Sequence, residues 1–129
     1  MNMDNTNYTL LLVDDNSLNV ELLGEILSQQ GYVVGCAYSG YGALEMARTL
    51  RPDLIILDIA MPAIDGFEVF SILKSDPDTQ DIPVVFVTSL NDGDDMARAM
   101  SMGAADYIVK PFNAAIILER IAAHLKNRG

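Results

Sequence analysis

Five short apolar runs alternate with five longer amphipathic stretches along this chain, and that alternation leaves few folds open. The runs are nearly continuous in apolar character and lie at Thr9–Val13, 32–36, Leu54–Leu57, 84–87 and 107–109. Such runs are typical of strands in a sheet that is covered on both faces. We therefore expect five buried strands.

The stretches between the runs have the length and the period of helices. The first begins at Asn16 or Ser17, either of which is a suitable cap, and ends at Gly31. The others are Gly40–Leu50, Gly66–Ser75, 92–102 and 113–126. Each carries apolar residues at helical spacing, which predicts one buried face per helix.

Strict alternation of strands and helices predicts an α/β fold: a single doubly wound, five-stranded parallel sheet in the order 2-1-3-4-5, a (βα)5 arrangement. A chain of 129 residues builds one hydrophobic core. We expect a polar N-terminal leader at 1–8, one domain at 9–126, and a short tail at 127–129 where a longer protein could have been truncated.

The charge balance argues against nucleic acid and membrane partners. Eight Lys and Arg against 18 Asp and Glu give a formal net charge of −10 at pH 7, which repels phosphates and anionic lipid surfaces. Cys36 is the single cysteine, and the sequence contains no apolar run of membrane-spanning length and no signal peptide. A cytoplasmic location is the expectation.

The residues with reactive chemistry cluster at the carboxyl ends of the predicted strands. Asp14 and Asp15 follow the first strand, Asp58 follows the third, Thr88 ends the fourth, and Lys110 follows the fifth. Taken singly, each is more often turn or cap chemistry than a functional group. Ligands of such sheets bind beyond the carboxyl ends of the strands, so we expect these five side chains to converge.

Three carboxylates in one pocket raise one another's pKa unless a cation lies among them. Oxygen ligands without His or Cys suit Mg²⁺, with Mn²⁺ as an alternative, rather than zinc. A lysine and a hydroxyl beside that ion can neutralise a phosphoryl group, and a carboxylate can act as its nucleophile. The pattern favours metal-assisted phosphoryl transfer to or from an aspartate.

The ordered set of motifs resembles the receiver domain of two-component response regulators, which has a flavodoxin-like fold. The resemblance covers 9–125 and rests on LLVDDN at 11–16, LIILD at 54–58, Met61-Pro62, Asp65-Gly66, Val87-Thr88, Gly103-Ala104, Asp106-Tyr107 and KPF at 110–112. Any one of these motifs is weak. Their order and spacing together are highly specific.

The resemblance implies a phospho-acceptor and a metal site. Asp58 would accept a phosphoryl group from the phosphohistidine of a histidine kinase or phosphotransfer protein. Asp15 and Asp58 would bind Mg²⁺ directly, together with the backbone carbonyl of Ala60. Asp14 would bind the same ion through water.

The resemblance also implies a switch. Lys110 would pair with the phosphoryl oxygens, Thr88 would swing in to hydrogen-bond them, and Tyr107 would turn inward behind Thr88. The surface of the fourth helix, fifth strand and fifth helix would then change and engage an output domain in cis or a partner protein, or form a homodimer. Such a chain is a signalling domain that catalyses only its own phosphorylation and dephosphorylation.

Two positions depart from the polar choices that are commoner in the family. Ala60 lies two residues after Asp58, and Leu90 lies two residues after Thr88. Neither side chain can orient a hydrolytic water. We therefore expect slow loss of phosphate from the phosphorylated form.

The residues also leave other functions open. A phosphatase of the haloacid-dehalogenase type uses similar residues, but it needs a second acid two positions after its nucleophile, where this chain has Ala60. A flavodoxin-like electron carrier would need phosphate donors where Asp14 and Asp15 lie. A phosphorylation-independent scaffold would leave the acidic site unexplained.

The sequence identifies neither the cognate kinase nor the output domain or target. The chain is a stand-alone switch or a receiver from a longer protein. A hybrid kinase, a cyclic-dinucleotide regulator and a DNA-binding regulator are the alternatives, and the stretch at 82–88 with His124-Leu125 favours the first two.

Overall fold

The computed structural model describes residues 8–128 and confirms the predicted α/β class. The strands are β1 Thr9–Val13, β2 Val33–Ala37, β3 Leu54–Leu57, β4 Val84–Thr88 and β5 Asp106–Val109. The helices are α1 Ser17–Gln29, α2 Gly40–Leu50, α3 Gly66–Ser75, α4 Gly93–Ser101 and α5 Ala114–Arg128. Most of the predicted leader, and Gly129 of the tail, lie outside the described residues.

All four strand pairings are parallel, and the sheet runs β2-β1-β3-β4-β5. This is the order predicted from the alternation of elements. It places β1 and β3 at the centre, with β4 and β5 to one side, so the ends of these four strands form one continuous edge. No helix among the described residues is long and apolar enough to cross a membrane.

The core has two halves, one on each face of the sheet. Leu11 and Val13 of β1 belong to the half that packs against α2, α3 and α4. Leu10 and Leu12 belong to the half beneath α1 and α5. Successive strand residues point to opposite faces, so a continuous apolar run is needed to fill both halves.

Some strand boundaries differ by one residue from the prediction. The second strand was predicted at 32–36 but pairs from Val33 to Ala37, and β5 begins at Asp106 rather than at the next residue. Thr88 belongs to β4, paired with Val109. Strand limits are set by backbone pairing, whereas the prediction followed side-chain apolarity.

Helix boundaries differ from the prediction mainly where a cap was counted as helix. Asn16 caps α1 by accepting from the backbone N–H of Asn19, which decides between the two suitable caps. Asp92 and Met102 are the caps of α4 rather than helical residues. At the start of α5, Asn113 Oδ1 accepts from Ala115 N at 2.7 Å.

Gly66 brings the start of α3 against the segment that follows β3. Its backbone N–H donates to Ile59 O at 2.8 Å. A Cβ on Gly66 would lie 2.7 Å from Ile59 Cα and closer still to the carbonyl oxygen of Asp58. Asp65 and Glu68 form a reciprocal capping box at the same helix end. The close approach therefore needs glycine.

We predict that Gly66→Ala lowers the free energy of unfolding by about 1–3 kcal/mol, because the added methyl group overlaps backbone that cannot rotate away. Chemical denaturation monitored by circular dichroism measures the change. The control is Gly93→Ala at the first position of α4, where a Cβ meets nothing within 4 Å. That variant should stay within about 0.5 kcal/mol of the native protein. Equal stability of the two variants would contradict the close approach.

Candidate functional site

The site lies at the carboxyl edge of the sheet, where neighbouring strands end. Asp14 and Asp15 follow β1, Asp58 follows β3, Thr88 ends β4 and Lys110 follows β5. The structure brings all five predicted residues to this edge. The cause is the strand order, since parallel neighbours end side by side.

Three carboxylates form the acidic part of the site. One oxygen from each of Asp14, Asp15 and Asp58 lies within 4.8 Å of the others. Asp14 and Asp58 are only 5% and 7% exposed, while Asp15 is open to solvent. Two buried anions at this distance need a positive charge beside them.

Lys110 supplies that charge. Its Nζ lies 2.7 Å from Asp14 Oδ2 and 3.4 Å from Asp58 Oδ2. The ammonium group therefore bridges two carboxylates from different strands and lies nearer to Asp14. Ile59 N donates to the other oxygen of Asp58, Oδ1, at 2.7 Å.

The two buried carboxylates are perturbed in opposite directions. Burial raises the pKa of Asp58 above its ordinary value; Lys110 opposes this rise, and the charge of Asp14 adds to it. Burial also acts to raise the pKa of Asp14, but hydrogen bonds from Lys110, Asn16 and Asn19 together hold it below its ordinary value. Asp58 is thus the carboxylate whose negative charge the site stabilises less well.

The pKa of Lys110 is raised despite its burial. Burial alone would lower it, but the hydrogen bond to Asp14 and the charges of Asp58 and Asp14 favour the protonated form more strongly. The ammonium group therefore stays charged at neutral pH and remains a donor.

Thr88 and Tyr107 lie behind the carboxylates and are joined through one residue. Thr88 is fully buried, and its hydroxyl acts to lower the pKa of Asp58. Its Oγ1 also accepts from Leu90 N at 3.3 Å. The hydroxyl of Tyr107, whose side chain is 5% exposed, donates to Leu90 O at 2.8 Å. The segment after β4 is therefore held from both sides.

Ala60 and Leu90 flank Asp58 and Thr88. Ala60 is exposed, and Leu90 is half-buried and packs against the core under α3 and α4. Neither side chain carries a polar group. The ligand role of the Ala60 carbonyl remains a prediction.

Two residues at the site were not singled out from the sequence. Asn19 Nδ2 donates to Asp14 Oδ2 at 3.3 Å, and Asn16 N donates to Asp14 Oδ1 at 3.0 Å. The sequence predicts Asn16 as a helix cap and as the last residue of the LLVDDN motif, but not as a donor to Asp14. Asp14 follows β1, whereas Asn19 lies in the first turn of α1. Neither the period of a strand nor that of a helix therefore predicts a contact between them.

An apolar groove of about 240 Å³ lies beside this edge, between α1 and the segment that follows β5. Leu22 and Leu23 of α1 lie on one side, and Phe112 lies on the other. Asp14, Asn19 and Lys110 form its polar end. The groove is continuous with the site described above.

Comparison with known proteins decides the family. The family model described as "Response regulator receiver domain" matches residues 10–122. The chain belongs to this family. Receiver domains act in two-component signalling, so this receiver domain is a signalling domain and its acidic pocket is of the kind that binds Mg²⁺ in the family.

Curated relatives match the receiver domain with only part of their length. Response regulator PleD of Caulobacter vibrioides is 41% identical over 112 residues, covering 87% of this chain and 25% of the relative. A protein named probable cyclic di-GMP phosphodiesterase in Vibrio cholerae is 36% identical, covering 97% and 28% respectively. The transcriptional regulatory protein AfsQ1 of Streptomyces coelicolor is 38% identical, covering 92% and 51%. The chain thus spans about a quarter to a half of these relatives.

Solved structures agree over nearly the whole receiver domain. The receiver domain of a signal transduction histidine kinase from Syntrophus aciditrophicus superimposes with a TM-score of 0.79 at 36% identity, covering 94% of this chain and 89% of that one. A CheY-like response regulator receiver domain protein from Methanospirillum hungatei gives a TM-score of 0.86 at 26% identity, covering 94% and 95%. The flavodoxin-like receiver fold is therefore confirmed.

We predict opposite stability effects for the two buried carboxylates in metal-free buffer at pH 7. Asp58→Asn should raise the melting temperature, because the fold disfavours the ionised form of Asp58. Asp14→Asn should lower it, because the fold favours the ionised form of Asp14. A change of about 1 kcal/mol corresponds to about 4 °C for a chain of this size. Thermal unfolding monitored by circular dichroism measures both.

The pH dependence follows from the same pKa directions. The increase in melting temperature caused by Asp58→Asn should become smaller as the pH falls through the raised pKa of Asp58, since the native aspartate then becomes neutral. The loss in Asp14→Asn should persist to lower pH and vanish only below the lowered pKa of Asp14. Equal melting temperatures for the two variants at pH 7 would contradict these electrostatics.

Proposed function

We propose that this receiver domain accepts a phosphoryl group on Asp58 from the phosphohistidine of a histidine kinase or phosphotransfer protein. The observation that carries the proposal is the position of Lys110 between Asp14 and Asp58, with the buried Thr88 at the end of the adjacent strand β4. An oxygen of Asp58 bonds to phosphorus, the phosphorus–nitrogen bond of phosphohistidine breaks, and its electron pair returns to the imidazole, which takes up a proton.

The donor set suits Mg²⁺, with Mn²⁺ as an alternative. The carboxylate cluster offers hard oxygen atoms and includes neither His nor Cys. We infer that Asp15, Asp58 and the backbone carbonyl of Ala60 hold the ion directly and that Asp14 holds it through water. When bound, the ion supplies positive charge to the phosphoryl oxygens.

Lys110 and Thr88 complete the positive and hydrogen-bonding surroundings of the phosphoryl group in this proposal. The raised pKa of Lys110 keeps its ammonium protonated, so it can pair with a phosphoryl oxygen. Thr88 already favours the ionised form of Asp58 and would turn its hydroxyl to the phosphoryl oxygens. Both groups come from strand ends that the sheet holds in register.

The switch runs through Thr88, Leu90 and Tyr107. A move of Thr88 changes the bond to Leu90 N, and the carbonyl of Leu90 is the acceptor for the Tyr107 hydroxyl. This links the phosphoryl site to the face formed by α4, β5 and α5. We infer that this face engages an output domain in cis or a partner protein, with a homodimer as the alternative.

The site supports phosphoryl acceptance better than turnover of another substrate. The residue two positions after Asp58 is Ala60, which cannot act as general acid or base. We therefore infer that this receiver domain catalyses only its own phosphorylation and dephosphorylation. The activity of any larger protein that contains it depends on its other domains.

We predict that incubation with Mg²⁺ and a small acyl phosphate adds one phosphoryl group, detected by intact mass. The mass increase should be lost in Asp58→Asn and without Mg²⁺. It should persist in Asp78→Asn, the control, which changes an exposed carboxylate in the loop after α3. Continuous release of phosphate without modification would favour the phosphatase instead. Absence of both would favour the scaffold.

We predict slow loss of that phosphate, because neither Ala60 nor Leu90 can orient a water molecule. Ala60→Asn and Leu90→Glu should each speed the decay by about tenfold, a modest share of what a positioned acid–base group contributes. The decay of the phosphorylated mass with time measures the rate. Ala63→Asn, an exposed position in the same loop, is the control. Unchanged decay in both variants would count against the assignment.

A further inference from the structure

Asp14 is held by three donors, and one of them, Lys110, is drawn toward the phosphoryl group in the proposed reaction. Asn16 N donates to Oδ1 at 3.0 Å, whereas Lys110 Nζ and Asn19 Nδ2 both donate to Oδ2, at 2.7 and 3.3 Å. Lys110 lies farther from Asp58, at 3.4 Å. A phosphoryl group on Asp58 brings further anionic oxygens to the same ammonium group, and pairing with them draws this group away from Asp14.

That shift removes the shortest hydrogen bond to a buried carboxylate oxygen. Loss of a hydrogen-bond donor costs considerably more free energy for a buried charged group than for an exposed one. Among the described residues, Asn19 is the other donor on the same oxygen. Its amide can hold Oδ2 of Asp14 while the ammonium group moves.

We propose that Asn19 is a positioning residue for phosphorylation, which holds Asp14 in place when Lys110 turns to the phosphoryl group. The proposal rests on the proposed function of Asp58. The side-chain hydrogen bond described for Asn19 goes to Asp14, so in this proposal Asn19 acts on the phosphoryl site through Asp14 and Lys110.

The local structure keeps the Asn19 amide in this position. Asn19 lies in the first turn of α1, where its backbone N–H donates to the capping oxygen of Asn16 at 3.2 Å. Its side chain is half-buried at the polar end of the groove, with Leu22 and Leu23 farther along the same helix. A leucine at position 19 has nearly the same shape, lacks the donor, and would extend an apolar surface that already exists.

The test compares two affinities in Asn19→Leu. The first is the affinity for Mg²⁺ alone, measured by NMR titration. The second is the affinity for beryllium trifluoride, an unreactive mimic of a phosphoryl group on a carboxylate, measured by calorimetry at saturating Mg²⁺. With Mg²⁺ alone Lys110 can stay on Asp14, so we expect less than a twofold change. The beryllium trifluoride affinity should fall about fivefold, which is equivalent to about 1 kcal/mol.

Two further variants make the result specific. Asn19→Gln keeps an amide donor and should recover most of the beryllium trifluoride affinity. Gln29→Leu makes an amide-to-leucine change at the far end of α1 and should leave both affinities unchanged. The melting temperature of Asn19→Leu should stay close to that of the native protein, because Lys110 still holds Asp14 there.

The outcomes separate this inference from the proposed function. If the native protein binds beryllium trifluoride with Mg²⁺ but Asn19→Leu binds it equally well, Asn19 has no positioning role. An equal fall in both affinities would also overturn the role, since Asn19 would then support the metal site rather than the movement of Lys110. Failure of the native protein to bind beryllium trifluoride would overturn the function of Asp58 and this inference with it.

Discussion

The ammonium group of Lys110, shared between Asp14 and Asp58, is the interaction on which the rest of the site depends. Its two partners lie 96 and 52 residues away in sequence. The contact forms only when β1, β3 and β5 lie in one sheet with their carboxyl ends aligned. Without that cation, two buried carboxylates beside an exposed third would repel one another. The charge balance of the site therefore depends on the fold.

In this arrangement the ionised form of Asp58 has an unfavourable electrostatic free energy. Burial makes the negative charge of Asp58 costly, while Asp14 is stabilised by three donors. A cation or a covalently attached group that neutralises the charge of Asp58 would remove this cost. The hydrogen bonds that join Thr88 and Tyr107 to Leu90 lie beside the carboxylates and would respond to the change. Functional sites commonly give up stability in this way.

Much of the site was predictable from the sequence because each of its residues directly follows or ends a strand. Asp14, Asp15, Asp58, Thr88 and Lys110 all lie where the strand order placed them. Element boundaries were less accurate: β5 begins with Asp106, a charged residue that side-chain patterns exclude from a buried strand. Asp106 is half-buried at this position. Its carboxylate accepts a hydrogen bond from Arg120 and lies 3.0 Å from Nε2 of His124, both on α5, and these contacts compensate its charge.

The order and type of the elements follow from the chain's own pattern, because the spacing of apolar residues reports which faces are buried and hence the period of each segment. The tertiary structure alone decided that Lys110 lies closer to Asp14 than to Asp58, that Asn19 shares the oxygen Oδ2 of Asp14, and that the Tyr107 hydroxyl donates to the carbonyl of Leu90. These features depend on distances of a few ångströms between side chains of different elements. Strand register and helix packing set such distances, and no local spacing in the sequence encodes them.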